Sequence, residues 1–232
     1  MKTKIFCDIA DYETIKLFSN KSIVNGFTTN PSLMRLAGAK NYKKYSLKIL
    51  KICKNKPISF EVFADNKKEM LKQAYEINSW GKNVYVKIPV VNSKGVFMGP
   101  VIKELSNKGI KLNITAVYSV EQTKMIFKNL SKKTKSIISI FAGRMADKGK
   151  DPLPIFKKSI SFTKKNKRIE ILWASTREAY NYIQAKYLKC HIITMPPKII
   201  GQIENFGKSS KSMTLDTVNG FLSDSRKSKF KL

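Results

Sequence analysis

The chain has 232 residues, of which 42% are hydrophobic and 10% aromatic, and its 45 Lys and Arg against 16 Asp and Glu give a net charge of +29. That apolar share is too high for intrinsic disorder, and no apolar run reaches the ~20 residues of a membrane helix. Three cysteines (Cys7, Cys53, Cys190) without metal-ligand spacing argue against a disulfide framework and a Cys-based zinc site.

In chain order, short β-rich runs alternate with longer amphipathic ones. A strand at 4–8 is followed by a helix at 12–20, and a strand at 23–28 by a helix at 42–54. Next come strand 58–64 with helix 67–80, strand 84–89 with helix 96–108, and strand 111–117 with helix 120–131. The series continues with strand 136–142 and helix 154–165, strand 169–175 and helix 177–188, and strand 191–195 and helix 198–206. A further helix at 215–222 lies in a basic tail, 207–232. Eight strand–helix units predict an α/β fold, a (β/α)8 TIM barrel with an extra C-terminal helix. An open doubly wound sheet is the alternative. No linker divides the sequence, so residues 1–232 are expected to form one domain. Asp8 interrupts any signal-peptide apolar region, which makes the cytoplasm the expected compartment.

Buried parallel strands should be almost wholly apolar. Here several carry polar groups near their C-terminal ends: Asp8, Thr28 with Asn30, Glu61, Lys87, Asn113 with Thr115, Ser139, and Ser175 with Arg177. A barrel gathers those ends at one mouth, where active sites sit. Side chains alternate along a strand, and the parity lets Glu61, Lys87, Asn113, Thr115, Ser139 and Phe141 all face inward.

Lys87 stands in the otherwise apolar run Val84-Tyr85-Val86-Lys87-Ile88-Pro89. Lysine is seldom buried without a reason. A desolvated lysine loses basicity and becomes an amine nucleophile for carbonyl groups. A structural ion pair with Asp8 or Glu61 is the competing reading. Asp8, Glu61 and Thr115 are suitable in type to hold a water that shuttles protons; a helix cap (Asp8) and a satisfied strand hydroxyl (Thr115) are the plainer alternatives. Arg144 and Arg177, close in sequence to Ser139 and Ser175, suit a phosphate dianion, with ion pairs to Asp147 or Glu178 as the other possibility. His191 is the sole histidine and begins a strand, so it is read as structural. No Gly-x-Gly-x-x-Gly or P-loop motif is present.

The five arginines (Arg35, Arg144, Arg168, Arg177, Arg226) are few, and the lysines are spread through the whole chain. Readers of nucleic acids favour arginine, so nucleic acid is not expected as a partner despite the charge. The lysines are read as solvated faces, or as attracting small phosphorylated substrates.

These motifs resemble the transaldolase family, in particular the short single-domain branch that includes fructose-6-phosphate aldolase. The resemblance runs from Asp8 to about Phe206. It rests on Thr28-Thr29-Asn30-Pro31-Ser32-Leu33, Val86-Lys87-Ile88-Pro89, Thr115-Ala116-Val117-Tyr118-Ser119, Phe141-Ala142-Gly143-Arg144 and Ala174-Ser175-Thr176-Arg177, in family order. It implies a transaldolase of the pentose phosphate pathway, with Lys87 forming an imine with a ketose phosphate and Asp8 acting on the C4 hydroxyl. Glu61 and Thr115 would position a catalytic water, and Thr28, Asn30 and Asn113 would bind donor hydroxyls. Ser139, Arg144, Ser175 and Arg177 would hold the phosphate, and Phe141 would line the site. No metal or organic cofactor is implied. Aldolase-type members resemble this chain but carry glutamine at Glu61 and tyrosine at Phe141, so this pair implies transfer; an aldolase-type lyase is the alternative. Short members tend to form pentamers and decamers in which the C-terminal helix packs on a neighbour. The segment 145–151, Met195-Pro196-Pro197 and the tail after Gly207 depart from the family pattern, and bear on acceptor preference and assembly.

Overall fold

A computed structural model describes residues 2–54 and 56–229. Eight parallel strands close into a barrel in sequence order: β1 (Lys4–Asp8), β2 (Val24–Thr28), β3 (Ile58–Glu61), β4 (Val84–Pro89), β5 (Leu112–Val117), β6 (Ser136–Phe141), β7 (Ile169–Ala174) and β8 (Ile192–Met195). The predicted barrel is therefore the observed one, and the open sheet is not. Helices α1 (Tyr12–Ser19), α2 (Pro31–Leu36) and α3 (Tyr42–Ile52) come before β3, followed by α4 (Lys67–Ser79), α5 (Gly99–Asn107) and α6 (Val120–Asn129). The series ends with α7 (Ala142–Ala146), α8 (Leu153–Thr163), α9 (Tyr180–Tyr187), α10 (Pro197–Glu204) and α11 (Ser210–Ser228). No helix among the described residues is long and apolar enough to cross a membrane.

The strand pattern divides the core into two shells. In β6, Ile138 and Ile140 point out to the helices, whereas Ile137 and Phe141 belong to an inner cluster with Phe6, Tyr85, Leu172 and Ile192. Gly26 makes room for that inner plug, since a Cβ there would lie 2.7 Å from the Phe6 ring. Several helices start where a short polar side chain satisfies a free backbone N–H. Asp11, Asn41 and Asn66 cap α1, α3 and α4, and Ser119 with Gln122 forms a reciprocal capping box on α6.

Several boundaries differ from the sequence reading. Strand β3 ends at Glu61: Val62 N still donates to Lys87 O at 3.0 Å, but the amides after it turn to a side chain, Phe63 N and Ala64 N both donating to Gln73 Oε1, each at 2.9 Å. Helix α5 starts at Gly99 because Val91 and Phe97 pair as an antiparallel bridge. Helix α9 starts at Tyr180 because Arg177 N donates to Asn181 Oδ1 at 3.0 Å. Two short helices, α2 and α7, follow β2 and β6 where none was predicted, and α11 is longer than expected at both ends. His191 is structural: its Nδ1 accepts from Ile171 N at 3.1 Å, and burial lowers its pKa. The three cysteines are free and buried.

Candidate active site

At the C-terminal mouth of the barrel lies a cavity of about 250 Å³. It is lined by eleven of the twelve residues singled out from the sequence: Asp8, Thr28, Asn30, Lys87, Asn113, Thr115, Ser139, Phe141, Arg144, Ser175 and Arg177. The twelfth, Glu61, does not line it but reaches its central residue. Register explains the convergence: Asp8 pairs with Thr28, Glu61 with Lys87, and Lys87 with Asn113, so level positions on adjacent strands meet.

Lys87 is 7% exposed. Its Nζ lies 3.0 Å from Glu61 Oε2 and donates to the Thr29 carbonyl at 3.0 Å. The ion pair with Glu61 is thus real, while the amine still opens on the cavity. Glu61 is in turn gripped through its backbone by Tyr42, whose hydroxyl donates to Glu61 O at 3.1 Å and accepts from Glu61 N at 3.0 Å. Burial pushes the Tyr42 pKa up, so that hydroxyl keeps its proton.

Asp8 is held by a relay of hydroxyls. Thr28 Oγ1 donates to Asp8 Oδ1 at 2.6 Å, which leaves Thr194 Oγ1, also at 2.6 Å, to donate to Thr28. Burial raises the Asp8 pKa; the Lys87 charge and the Thr28 hydrogen bond oppose this, and the Glu61 charge adds to it. A second chain runs from Ser139 Oγ, which donates to Asn113 Oδ1 at 2.6 Å, to Asn113 Nδ2, which donates to Ser59 Oγ at 3.0 Å. Among the described residues, Thr115 Oγ1 is buried and meets no hydrogen-bonding partner in the protein. Buried polar atoms are normally paired, so this hydroxyl is free to serve a molecule in the cavity. Asn30 has a double role: its Oδ1 accepts from Leu33 N at 2.9 Å to cap α2, which leaves its amide N–H groups for a ligand.

The cationic rim is built by α7 and the loop after β7. Arg144 stacks over the Phe141 ring at 5.2 Å, and Phe141 packs against Tyr118. Arg177 is clamped by Asp147: its Nε lies 3.1 Å from both carboxylate oxygens and its Nη2 is 2.5 Å from Oδ2. That pair holds the Asp147 pKa below the usual carboxylate range. The ion pair weighed from the sequence as an alternative is therefore present, and Arg177, 48% exposed, still lines the cavity. Ser175 adopts a left-handed φ of 62°, a conformation that non-glycine residues hold mostly at turns and functional sites. Gly143 meets this turn so closely that a Cβ would lie 1.7 Å from the Ser175 carbonyl oxygen.

Sequence reasoning does not single out Tyr42, Ser59, Thr194 or Asp147 as site residues. Thr194 carried a usable signal, a hydroxyl in an apolar strand. Tyr42 carried none, since a tyrosine in the first turn of an amphipathic helix reads as packing. Among the described residues, no three His, Cys, Asp or Glu side chains gather as a metal-holding group.

The family model for transaldolase/fructose-6-phosphate aldolase matches residues 5–231. The chain belongs to the transaldolase/fructose-6-phosphate aldolase family. Among its relatives, a probable transaldolase of Herpetosiphon aurantiacus is 32% identical over 201 residues, covering 86% of each chain. A probable transaldolase of Methanococcus maripaludis strain C7 is 31% identical over 224 residues, covering 95% of this chain and 96% of that one. Solved structures share the barrel at much lower identity. The N-acetylneuraminate lyase of Mycoplasma synoviae has a TM-score of 0.53 at 10% identity, over 82% of this chain and 68% of that one. The orotidine 5'-monophosphate decarboxylase of Metallosphaera sedula has a TM-score of 0.54 at 10% identity, over 84% and 88%. At that identity the likeness is one of fold alone. The transaldolase/fructose-6-phosphate aldolase motifs, by contrast, fall on the residues that line the mouth.

Proposed function

We propose that the protein is a transaldolase, which moves a dihydroxyacetone unit from a ketose phosphate to an aldose phosphate through a Schiff base on Lys87. The observation that carries this reading is the buried Lys87 amine, 3.0 Å from Glu61 and opening on a cavity with two arginines at its rim. A neutral amine has two N–H groups and one lone pair. Thr29 O and Glu61 occupy the N–H directions, so the lone pair is what remains for a ketone carbon. Attack at C2 gives a carbinolamine, and loss of water, positioned by Glu61 and Thr115, gives the iminium.

Asp8 then takes the proton of the C4 hydroxyl. The C3–C4 bond breaks, an aldose phosphate leaves, and its electron pair is held on Lys87 as an enamine. An acceptor aldehyde adds to that enamine and recovers a proton from Asp8, and water hydrolyses the imine. A carboxyl whose pKa is raised by burial suits this two-way duty, because a base works best near the operating pH. Thr28, Asn30 and Asn113 meet the donor hydroxyls; Ser139, Ser175, Arg144 and Arg177 meet the phosphate. Phe141 supplies no acidic hydroxyl, so protonation of the enamine by water is slow and transfer outruns release.

The test is turnover of fructose 6-phosphate with and without erythrose 4-phosphate, following glyceraldehyde 3-phosphate. Product only with the acceptor is expected. Product without it, with free dihydroxyacetone, makes the protein an aldolase. Borohydride with substrate should trap an adduct on Lys87, and trapping that persists in Lys87→Ala refutes the Schiff base. We also propose that the enzyme works in the pentose phosphate pathway of the cytoplasm, and as a homo-oligomer of five or ten copies.

A further inference from the structure

The opposite, N-terminal mouth of the barrel holds a larger cavity, of about 770 Å³. Nothing in the chemistry above uses it. Its floor is the apolar plug, whose buried Phe6, Tyr85 and Ile137 line it. Its wall is basic: Lys82, Lys111, Lys135, Lys167 and Arg168 line it, with Lys4 beside them. In sequence these look like part of the scattered lysine. In the fold they occupy one repeated position, the residue or two just before β4, β5, β6 and β7, and the barrel brings those strand starts together.

The charge there is not neutralised from within. The cavity's acid, Glu170, is taken by Lys4 at 2.7 Å. Among the described residues, none of the other five bases has a carboxylate within 4.0 Å. Lys111 is drawn in over the Tyr85 ring, 5.3 Å from its centroid, and donates to the Lys82 carbonyl. Burial lowers its pKa, and the nearby Lys135 charge lowers it further. A protein left alone gains nothing by holding these cations together; an anion in the cavity would relieve them.

We infer that this N-terminal cavity is a binding site for a linear oligophosphate. The shape selects the ligand. Adjacent strands lie about 4.8 Å apart, so bases on four consecutive strands span an arc on the order of 15 Å at backbone level. One phosphate dianion meets part of such an arc, whereas a chain of linked phosphates can follow it. Lysines serve phosphate as point charges. The concave form, with its apolar floor, suits a small molecule and excludes the body of a nucleic-acid duplex. Inorganic oligophosphate and the tail of a nucleoside triphosphate share this chemistry.

The test is calorimetric titration of the full chain with inorganic triphosphate, and separately with ATP, at low and at physiological salt. Saturable binding to one site per chain is expected, weakening as salt rises. Similar affinities show that the phosphate chain alone is read; much tighter ATP binding identifies a nucleotide as the source. The double variant Lys135→Glu/Lys167→Glu, both exposed positions, should lose at least roughly tenfold in affinity while its circular dichroism and melting temperature stay unchanged. Arg144→Ala at the other mouth, and an excess of fructose 6-phosphate, should leave triphosphate binding as it was; neither readout depends on the proposed transaldolase activity. Absence of saturable binding, displacement by fructose 6-phosphate, full affinity in the charge-reversed variant, or stronger binding of a short DNA duplex at equal phosphate concentration would overturn the proposal.

Discussion

Burial raises the pKa of Asp8 more than Lys87 and the Thr28 hydrogen bond lower it. A carboxyl with a raised folded-state pKa holds its proton more tightly when folded. Its contribution to stability is therefore present below the unfolded pKa and is lost as pH rises through the folded one. At neutral pH, well above the unfolded carboxylate pKa, Asp8 therefore works against the fold, a strain of the kind catalytic groups carry. Asp8→Asn should consequently melt higher than the parent at neutral pH, each ~1 kcal/mol gained appearing as roughly 2–4 °C. The gain should close as pH falls into the ordinary carboxylate range, and turnover should be lost throughout. Differential scanning calorimetry at several pH values reads the first two outcomes; a lower melting temperature at pH 7 would contradict the assignment. The same mouth decides between transfer and release. Glu61→Gln with Phe141→Tyr removes the charge beside Lys87 and adds a hydroxyl to the wall of the same cavity. Free dihydroxyacetone from fructose 6-phosphate without acceptor should rise by roughly a hundredfold, the lower end of what one positioned proton donor supplies.

Helix α7 is five residues long and positions Arg144 only because its Gly143 lies against the turn at Ser175. Gly143→Ala places a Cβ on a backbone carbonyl rather than on a mobile side chain, so α7 and the β7–α9 turn must separate. Overpacking of this kind costs about 1–3 kcal/mol. The variant should melt lower, and its KM for fructose 6-phosphate should rise more than that for unphosphorylated fructose, because the rim moves and Lys87 does not. Equal changes in both would place the effect elsewhere. This element also marks what sequence can convey. The eight strands were legible because each is a short apolar run with a turn on either side, and the polar interruptions at their ends showed which end carries the chemistry. Helices α2 and α7 were not, since each is about one to two turns long and too short for a 3.6-residue period to register. Their starts depend on contacts made only in the closed barrel. Asn30 illustrates the difficulty: the same carboxamide caps α2 and lines the cavity, and sequence pointed to the second role alone. Tyr42 and Asp147 act through partners 19 and 30 residues away, a distance that no local pattern spans.

The barrel as a whole stacks three layers: a polar, Lys87-centred mouth, a plug of Phe6, Tyr85, Ile137, Leu172 and Ile192, and a basic mouth below. Outside these layers stands α11. None of its 19 residues is buried, and Met213, Leu215, Val218, Phe221 and Leu222 are all exposed. Leu215, Val218 and Leu222 recur at the three- and four-residue spacing of one helical face. A helix of this length is marginal in water unless an apolar face is packed, and a contiguous apolar stripe on a surface marks an interaction site. A second copy of the chain is the partner we propose, because covering α11 on every chain at once is what a closed ring of identical copies achieves. Sedimentation velocity should then show an oligomer for the intact chain and a monomer once residues 207–232 are removed. The melting temperature of the intact protein should rise with its concentration, since assembly adds to stability by mass action, and the truncated chain should show no such dependence. A monomeric intact chain, or an oligomer that survives the truncation, would place the contact elsewhere. Val218→Asp separates the two possible reasons for a monomeric truncation: it keeps the full chain length but sets a charge in the middle of the stripe, so an interface through α11 should dissociate while the barrel keeps its strand spectrum.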